Sequence, residues 1–476
     1  MSTHLETLQR FRQALHGRFR YRRDSILDLL DALSSNDRAR SPVELSLNPC
    51  FRRQHGALYQ AIGKAYAESE YPVCSLEAIE HGDAILATIP VPQHRPYQVF
   101  GIDETPNERL YARCLADRQT VHRSTPVSGQ VPISVGHNYS ILAAMPEVEA
   151  EDWPRWAIPI SVERVSSHSN AIEVAQGQVG HVMRSPSASA FALKVLTVDS
   201  RYPTPAFLYG LRDAPDWLTI ARLRRNRVLY AQPEVGGDTT RPRWYGARFC
   251  LNDEATWPPP GEQTTLCLLP SQPSAPVLQV RRWSNLLMRG TRDCPMHQYP
   301  FDVVQIQRLD EAGLPQGQAL WLLVWGAQRQ SLSLDDVQQA YRQRFNLEHF
   351  LGFAKPNLLL TAFQTCDVTH EIHWLRLACI AYSQLWLARR LVDALPLPWQ
   401  RYLPQARTRR LTPRQVQRGF ATLMAQMGSP AAPPKPRGIS PGRAIGTRLT
   451  RRAPCPIVKF HPPSKRCRCK KSQDAA

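Results

Sequence analysis

The sequence predicts an α/β fold in which helices flank a mixed sheet, with a helical segment ahead of the sheet and a β-rich insertion late in it. Three observations carry that expectation. Apolar residues recur at helical spacing in residues 5–15 and 26–33. Strand-like runs at 98–103 and 192–199 each end on an acid. Residues 230–319, rich in Pro, Gly and Trp, hold short β-like runs without a helical period.

Taken in order, residues 1–95 read as a helical N-terminal domain. Ser41 and Pro42 suit the N-cap and first position of a helix. Leu45, Leu47, Phe51, Leu58 and Ile62 then make an apolar side with Arg52 and Arg53 between them, which suits either a small DNA-binding unit or a bundle that packs on the core. Residues 96–229 hold the first strands, at 98–103, 110–115, 133–144, 192–198 and 217–223, with a helix through Phe207 and Leu208. The β-rich insertion is placed at 230–318. A buried-strand pattern at 319–325 opens the second part of the core, 319–428, which turns helical from Leu334 to about residue 395, breaks at Pro396 and Pro398, and ends in a short helix near 413–427. Residues 429–476 are basic, rich in Pro and Arg and poor in apolar side chains, which predicts disorder.

The chain has 476 residues and a formal charge of +19. Such an excess points to a polyanionic partner, nucleic acid first, because a basic surface attracts phosphate from a distance and releases counterions on binding. Residues 430–476 carry 12 Lys or Arg and one acid, so +11 of the excess belongs to the tail. The eleven cysteines show no short, even spacing and no C-x-x-C pair, which argues for reduced thiols in the cytoplasm. Cys467 and Cys469, with Cys455 and His461 nearby, make a poor zinc site in so basic and proline-rich a stretch. No run reaches the roughly 18 apolar residues of a membrane span, and no G-x-x-x-x-G-K-[ST] loop is present, so neither a membrane protein nor an ATP-driven enzyme is expected.

The most telling segment runs from Tyr341 to Lys355. On a helix, Tyr341, Arg344, Glu348 and Lys355 fall at steps of 3, 4 and 7 and share a face. That stripe suits a group that holds a polyanion while one carboxylate reaches a metal ion beside it; a solvated charged helix is the plainer alternative. Two-metal phosphoryl transfer needs carboxylates that converge from separate elements. Asp103 and Asp199, each at a strand end, together with Glu348 supply that set. Glu104 could stand in for Asp103, and Asp213 or Asp216 for Asp199. His137 reads as a sheet histidine outside the site.

With these residues in view, the chain resembles the DDE transposases of bacterial insertion sequences, in the superfamily marked by Tyr-x2-Arg-x3-Glu-x6-Lys. Tyr341, Arg344, Glu348 and Lys355 meet that pattern, residues 101–105 resemble its first-acid strand with Asp-x-Thr, and residues 198–202 its second. The resemblance covers about residues 25–425 and implies a ribonuclease H-like core, with the long gap from Asp199 to Glu348 filled by the β-rich insertion. It further implies that Asp103, Asp199 and Glu348 bind two divalent ions, Mg²⁺ or Mn²⁺, and that Tyr341 and Arg344 contact phosphates of the element's end. Lys355 would hold the strand being cut or joined, while Thr105 and Arg201 would orient the acids or the DNA. Partners so implied are double-stranded DNA and a second copy of the chain in a synaptic homodimer.

Some members of that superfamily stack a flipped base on an indole in the insertion. Trp283, beside Arg281 and Arg282, is the nominee, with Trp244 and Trp257 as competitors and packing of a small core as the plainer role. The activity expected is cut-and-paste transposition. A nuclease that cuts without joining, or a DNA-binding regulator derived from a transposase, are the alternatives.

Overall fold

The computed structural model describes residues 2–67, 75–123, 131–147, 155–233, 244–267, 277–393, 411–436 and most of 442–458. Helices α1 (Ser2–Arg18), α2 (Arg23–Ser34), α3 (Pro42–Leu45), α4 (His55–Gly63) and α5 (Leu76–Leu86) precede the sheet. β1 (Tyr97–Glu108), β2 (Gln119–His122), β3 (Ile133–Met145), β4 (Ile158–Val165), α6 (Ala171–Met183), β5 (Leu193–Val198), α7 (Pro205–Gly210) and β6 (Trp217–Leu223) follow. Then come β7 (Val228–Tyr230), β8 (Arg248–Cys250), β9 (Glu262–Cys267), β10 (Val277–Leu286), β11 (Phe301–Leu309) and β12 (Pro315–Trp325), and finally α8 (Leu334–Gln343), α9 (Phe345–Asn357), α10 (Val368–Asp393) and α11 (Pro413–Met427).

The main sheet has the order β2-β3-β1-β5-β6-β12-β11-β10-β9, with β4 on the same edge of β3 as β2. β1, β5 and β6 are mutually parallel, and β3 runs antiparallel to β1. β5 is buried at every residue, as in a strand covered on both faces, with Lys194 and Thr197 among its apolar residues. The strands after β6 do not start a separate sheet: β12 pairs antiparallel with β6, placing Val324 opposite Ile220, and β11, β10 and β9 continue outward. β7 and β8 form a small side ribbon tied to the main body by a bridge between Tyr230 and Leu287.

α10 is the axis of the helical layer. Its buried residues, from Trp374 and Leu375 to Leu391, meet α1, α2, α4, α5, α11 and β4, so the N-terminal helices share one apolar core with the sheet. Ser41 caps α3 through its side-chain oxygen, which accepts from the Glu44 amide, and Pro42 follows at the first turn, as the sequence suggests.

Several expectations are corrected. Residues 110–115 form turns, with Leu110 and Tyr111 exposed, because Arg109 and Arg118 are drawn inward and leave no ladder to continue. Leu47 points to solvent while Leu45, Phe51, Leu58 and Ile62 are buried. Arg52 and Arg53 both pair with the buried Asp28, and they donate to the carbonyls of Ala431 and Ala432. Parts of the basic tail are ordered against the body. Ala431 is buried, and the amides of Cys455 and Val458 donate to the carbonyls of Arg113 and Arg118. Cys467, Cys469 and His461 lie outside the described residues.

Candidate active site

Two parallel strands set the first two acids side by side. β1 and β5 pair with Gly101 opposite Thr197, and two residues further along each chain come Asp103 and Asp199. Thr197 locks the pair by donating its hydroxyl to the Phe100 carbonyl at 2.9 Å. Each acid also meets a backbone amide: Asp103 Oδ1 accepts from Glu104 at 2.9 Å, and Asp199 Oδ1 from Arg201 at 2.6 Å. The other candidates lie elsewhere or are engaged. Asp216 pairs with Lys194 at the opposite end of β5, Asp213 pairs with Arg212, and Glu104 is held by Arg201.

Glu348 arrives from α9, which packs on β1. Gly101 makes that approach possible, since a Cβ there would stand 3.0 Å from Leu347 Cδ1 and collide with Met145. A side chain at 101 would push α9, and with it Glu348, off the sheet.

The stripe expected on one continuous helix is instead bent. α8 ends at Gln343 and α9 begins at Phe345, with Arg344 at the corner, where 3₁₀-type bonds from Arg344 to Tyr341 and from Leu347 to Arg344 replace the helical ladder. Tertiary packing forces the corner: α8 rests on β5, β6, β9 and β10, and α9 on β1, α10 and α11.

At that corner Arg344 turns inward. It is buried, its Nη1 lies 3.4 Å from Asp103 Oδ2 and its Nη2 3.1 Å from Glu348 Oε1. Tyr341 is only 3% exposed; its ring belongs to the core, and its hydroxyl is bonded to Arg344. Neither residue is the solvent-facing phosphate contact that the spacing suggests. Lys355, in the last turn of α9, is half-buried and within electrostatic reach of Asp103 and Glu108; loss of solvent lowers its pKa. Arg201 holds Glu104 through two bonds of 2.6 and 2.7 Å, which tie the turn after β5 to β1 beside Asp103. Thr105 is buried and its hydroxyl has no partner.

Burial dominates the electrostatics. It raises the Asp103 carboxyl to about 6; Arg344 and the Glu104 amide oppose the rise, and the neighbouring Asp199 and Glu348 add to it. A cavity of about 260 Å³ adjoins the acids, lined by Asp103, Glu104, Asn138, Asp199, Tyr202 and Arg224 among others. Tyr202 is buried at its wall with its hydroxyl unpaired. Among the described residues no three His, Cys, Asp or Glu side chains gather closely enough to hold a metal ion; between Asp103 and Glu348 the counter-charge is Arg344.

Trp283 is corrected outright. It is 3% exposed, its indole donates to the Pro258 carbonyl at 2.7 Å, and it packs with Phe249, Trp257 and Trp321 at centroid separations of 5.3 to 5.8 Å. This aromatic cluster is the core of the late strands, and no base can reach it. Trp257 belongs to the same cluster, whereas Trp244 is half-exposed. His137 is also structural: its ring bridges Glu371 at 2.7 Å and the Ala116 carbonyl at 2.9 Å. A residue that the sequence analysis did not place near the acids is Arg222. With Thr197 opposite Ile220, it stands one strand over from Asp199 and in line with it.

Among the described residues no helix is long and apolar enough to cross a membrane. No curated protein matches the chain. A family model described as DDE superfamily endonuclease matches residues 10–283, a span that holds Asp103 and Asp199 and stops before Glu348. More than half of the sequence lies in that match, and the chain belongs to the DDE superfamily endonuclease family.

Proposed function

We propose that the protein is a DDE transposase that cuts DNA at the ends of its element and joins the freed ends to target DNA. The observation that carries this reading is the placement of Asp103 and Asp199 at matching positions on adjacent parallel strands, with Glu348 delivered by a helix packed on the first of them. The strand order β4-β3-β1-β5-β6, with β3 antiparallel, supports a ribonuclease H-like core, and β7 to β12 between β6 and α8 support an insertion in the gap before Glu348. Helices α1 to α5 would form the N-terminal part and the basic residues after 429 an additional DNA-contacting arm.

Asp103, Asp199 and Glu348 would hold the divalent pair, Mg²⁺ or Mn²⁺. The fit rests on donor chemistry: hard carboxylate oxygens from three elements, with Asp103 buried, which raises its carboxyl to about 6, and Glu348 half-exposed and not locked by packing. Ions bound there supply activation of the attacking oxygen and neutralisation of charge on the phosphoryl group. This chain's own contribution is positional. Thr197 and the Glu104–Arg201 pair keep β1 at Asp103 in register with the turn at Asp199, Gly101 lets α9 sit close, and Arg344 balances the carboxylates. Lys355 lies where it would hold a phosphate of the strand being cut. Synapsis of two DNA ends calls for a homodimer.

The deciding experiment incubates purified protein with Mg²⁺ and the DNA flanking its own gene, with Asp103→Asn as control. Cutting at the ends followed by joining to a plasmid supports the transposase; cutting without joining points to a nuclease on the same core; binding without cutting in either protein points to a regulator.

A further inference from the structure

If Tyr341 and Arg344 are engaged inside the protein, the DNA must be gripped by something else near the acids. β6 offers it. Its last residues and the turn that follows carry Arg222, Arg224 and Arg225, all exposed, while Ala221 and Leu223 between them are buried. Among the described residues none of the three has a side-chain hydrogen bond or an ion pair, unlike Arg344, Arg201, Arg109, Arg52 and Arg53.

Their location follows from the ladder. Val198 stands opposite Ala221, so Asp199, just past the end of β5, comes level with Arg222, which still pairs with Leu322 of β12, and Arg222 acts electrostatically on Tyr341. Arg224 lines the same cavity as Asp103 and Asp199. Arg222 and Arg224 thus stand beside Asp199 and Asp103 without being neutralised by them, and Arg225 is the next residue of the turn. An unpaired arginine cluster at the mouth of an acid site raises the local concentration of phosphate and matches phosphate oxygens with a fixed fork of donors.

We propose that Arg222, Arg224 and Arg225 are the phosphate platform of this protein, gripping the backbone of duplex DNA where it passes from the acids across the end of β6. The proposal rests on the reading of DNA as substrate and adds where on the molecule the DNA lies. Contacts of this kind carry no base specificity, so they set affinity and its salt dependence rather than sequence choice.

The test measures binding of a fluorescent DNA duplex by anisotropy, in EDTA, across a salt series. It compares the wild type, Arg222→Ala/Arg224→Ala/Arg225→Ala, the same three positions changed to Lys, and a charge-matched control, Arg10→Ala/Arg20→Ala/Arg23→Ala, on exposed positions of α1, the loop after it and the start of α2. The platform predicts that the alanine triple lowers the slope of log K against log salt by about 2 to 3 and weakens binding at least about tenfold, since each phosphate contact contributes about 0.9 to the slope. The lysine triple should keep most of the slope, and the control should lose little. An unchanged slope in the alanine triple, or an equal loss in the control, overturns the platform while leaving DNA as the substrate. Wild-type protein that does not bind duplex at all overturns the DNA reading itself and the platform with it. All three arginines are exposed, so a preserved melting temperature verifies that the variants are folded.

Discussion

Arg344 Nη1 stands 3.4 Å from Asp103 Oδ2, so the first acid of the site is balanced by a cation from the same segment that delivers the last acid. That relationship couples the two halves of the site. Replacing Arg344 with Ala removes the charge that restrains the Asp103 carboxyl, and its pKa should climb from about 6 by about one unit. Carboxylate-selective NMR titration of Asp103 checks this; an unmoved titration would show that Arg344 does not act on it.

Asp103→Asn should stabilise the protein in the absence of metal while abolishing cutting. The folded-state pKa of about 6 lies above the ordinary carboxylate value of 3.8. Stability linked to this group is therefore full below pH 4 and lost as pH rises through 6, a change of no more than about 3 kcal/mol. The variant should melt a few degrees above wild type at pH 8 and level with it at pH 4. A lower melting point at pH 8 contradicts the sign.

Glu348→Gln keeps the bulk and hydrogen-bonding capacity of the side chain and removes its charge. Cutting should fall by a factor on the order of 10³ or more, because a hard-metal carboxylate is lost. Duplex binding should stay within about twofold, as Glu348 touches Arg344 and not the proposed platform. Undiminished cutting would remove Glu348 from the site.

Trp283→Ala empties the centre of an aromatic cluster and orphans the Pro258 carbonyl, so unfolding free energy should drop by about 3 to 5 kcal/mol. Trp244→Ala, at a half-exposed position, should cost less than about 1 kcal/mol. Urea unfolding of both variants separates a packing tryptophan from a surface one; equal effects would contradict the placement.

Glu371→Gln should be among the most damaging neutral substitutions. Glu371 is fully buried against Arg109, itself fully buried, and against His137 and Asn107. Removing the carboxylate leaves the Arg109 charge uncompensated, at about 3 to 5 kcal/mol. Thermal and urea denaturation measure it directly, and a loss below 1 kcal/mol would mean that the cluster reorganises.

How much of this was legible in the sequence depends on the range of the interactions involved. β1, β3, β5, β6 and α11 follow from local apolar period and caps, and Asp199 follows from the end of β5, whereas Asp103, expected at a strand end, lies inside β1, which pairs with β3 as far as Glu108. The corner at Arg344 does not, since no Gly or Pro marks it and only the separate seats of α8 and α9 impose it. The direction of a side chain was equally hidden. Arg52, Arg53 and Arg344 look like solvent-facing cations until their partners, Asp28 and Asp103, are brought up from far along the chain, 24 residues from Arg52 and 241 from Arg344. Trp283, beside Arg281 and Arg282, leaves base stacking and core packing both open in the sequence, and only the fold, which sets it against Phe249 and Trp321, decides for packing.

The clasp between the two ends of the described chain has a consequence for synthesis. Arg12 bonds to Gln384, 372 residues later, and Arg52 to Ala431, 379 residues later. The apolar faces of α1 and α2 are therefore translated first and fully covered last, since α4 and α5 cover only part of them and α10 and the segment after α11 must leave the ribosome to complete the packing. At elongation rates of about 5 to 20 residues per second that interval is roughly 20 to 80 seconds. The nascent N-terminal helices must be shielded for that time, and a chain that stops before α10 leaves them open to aggregation.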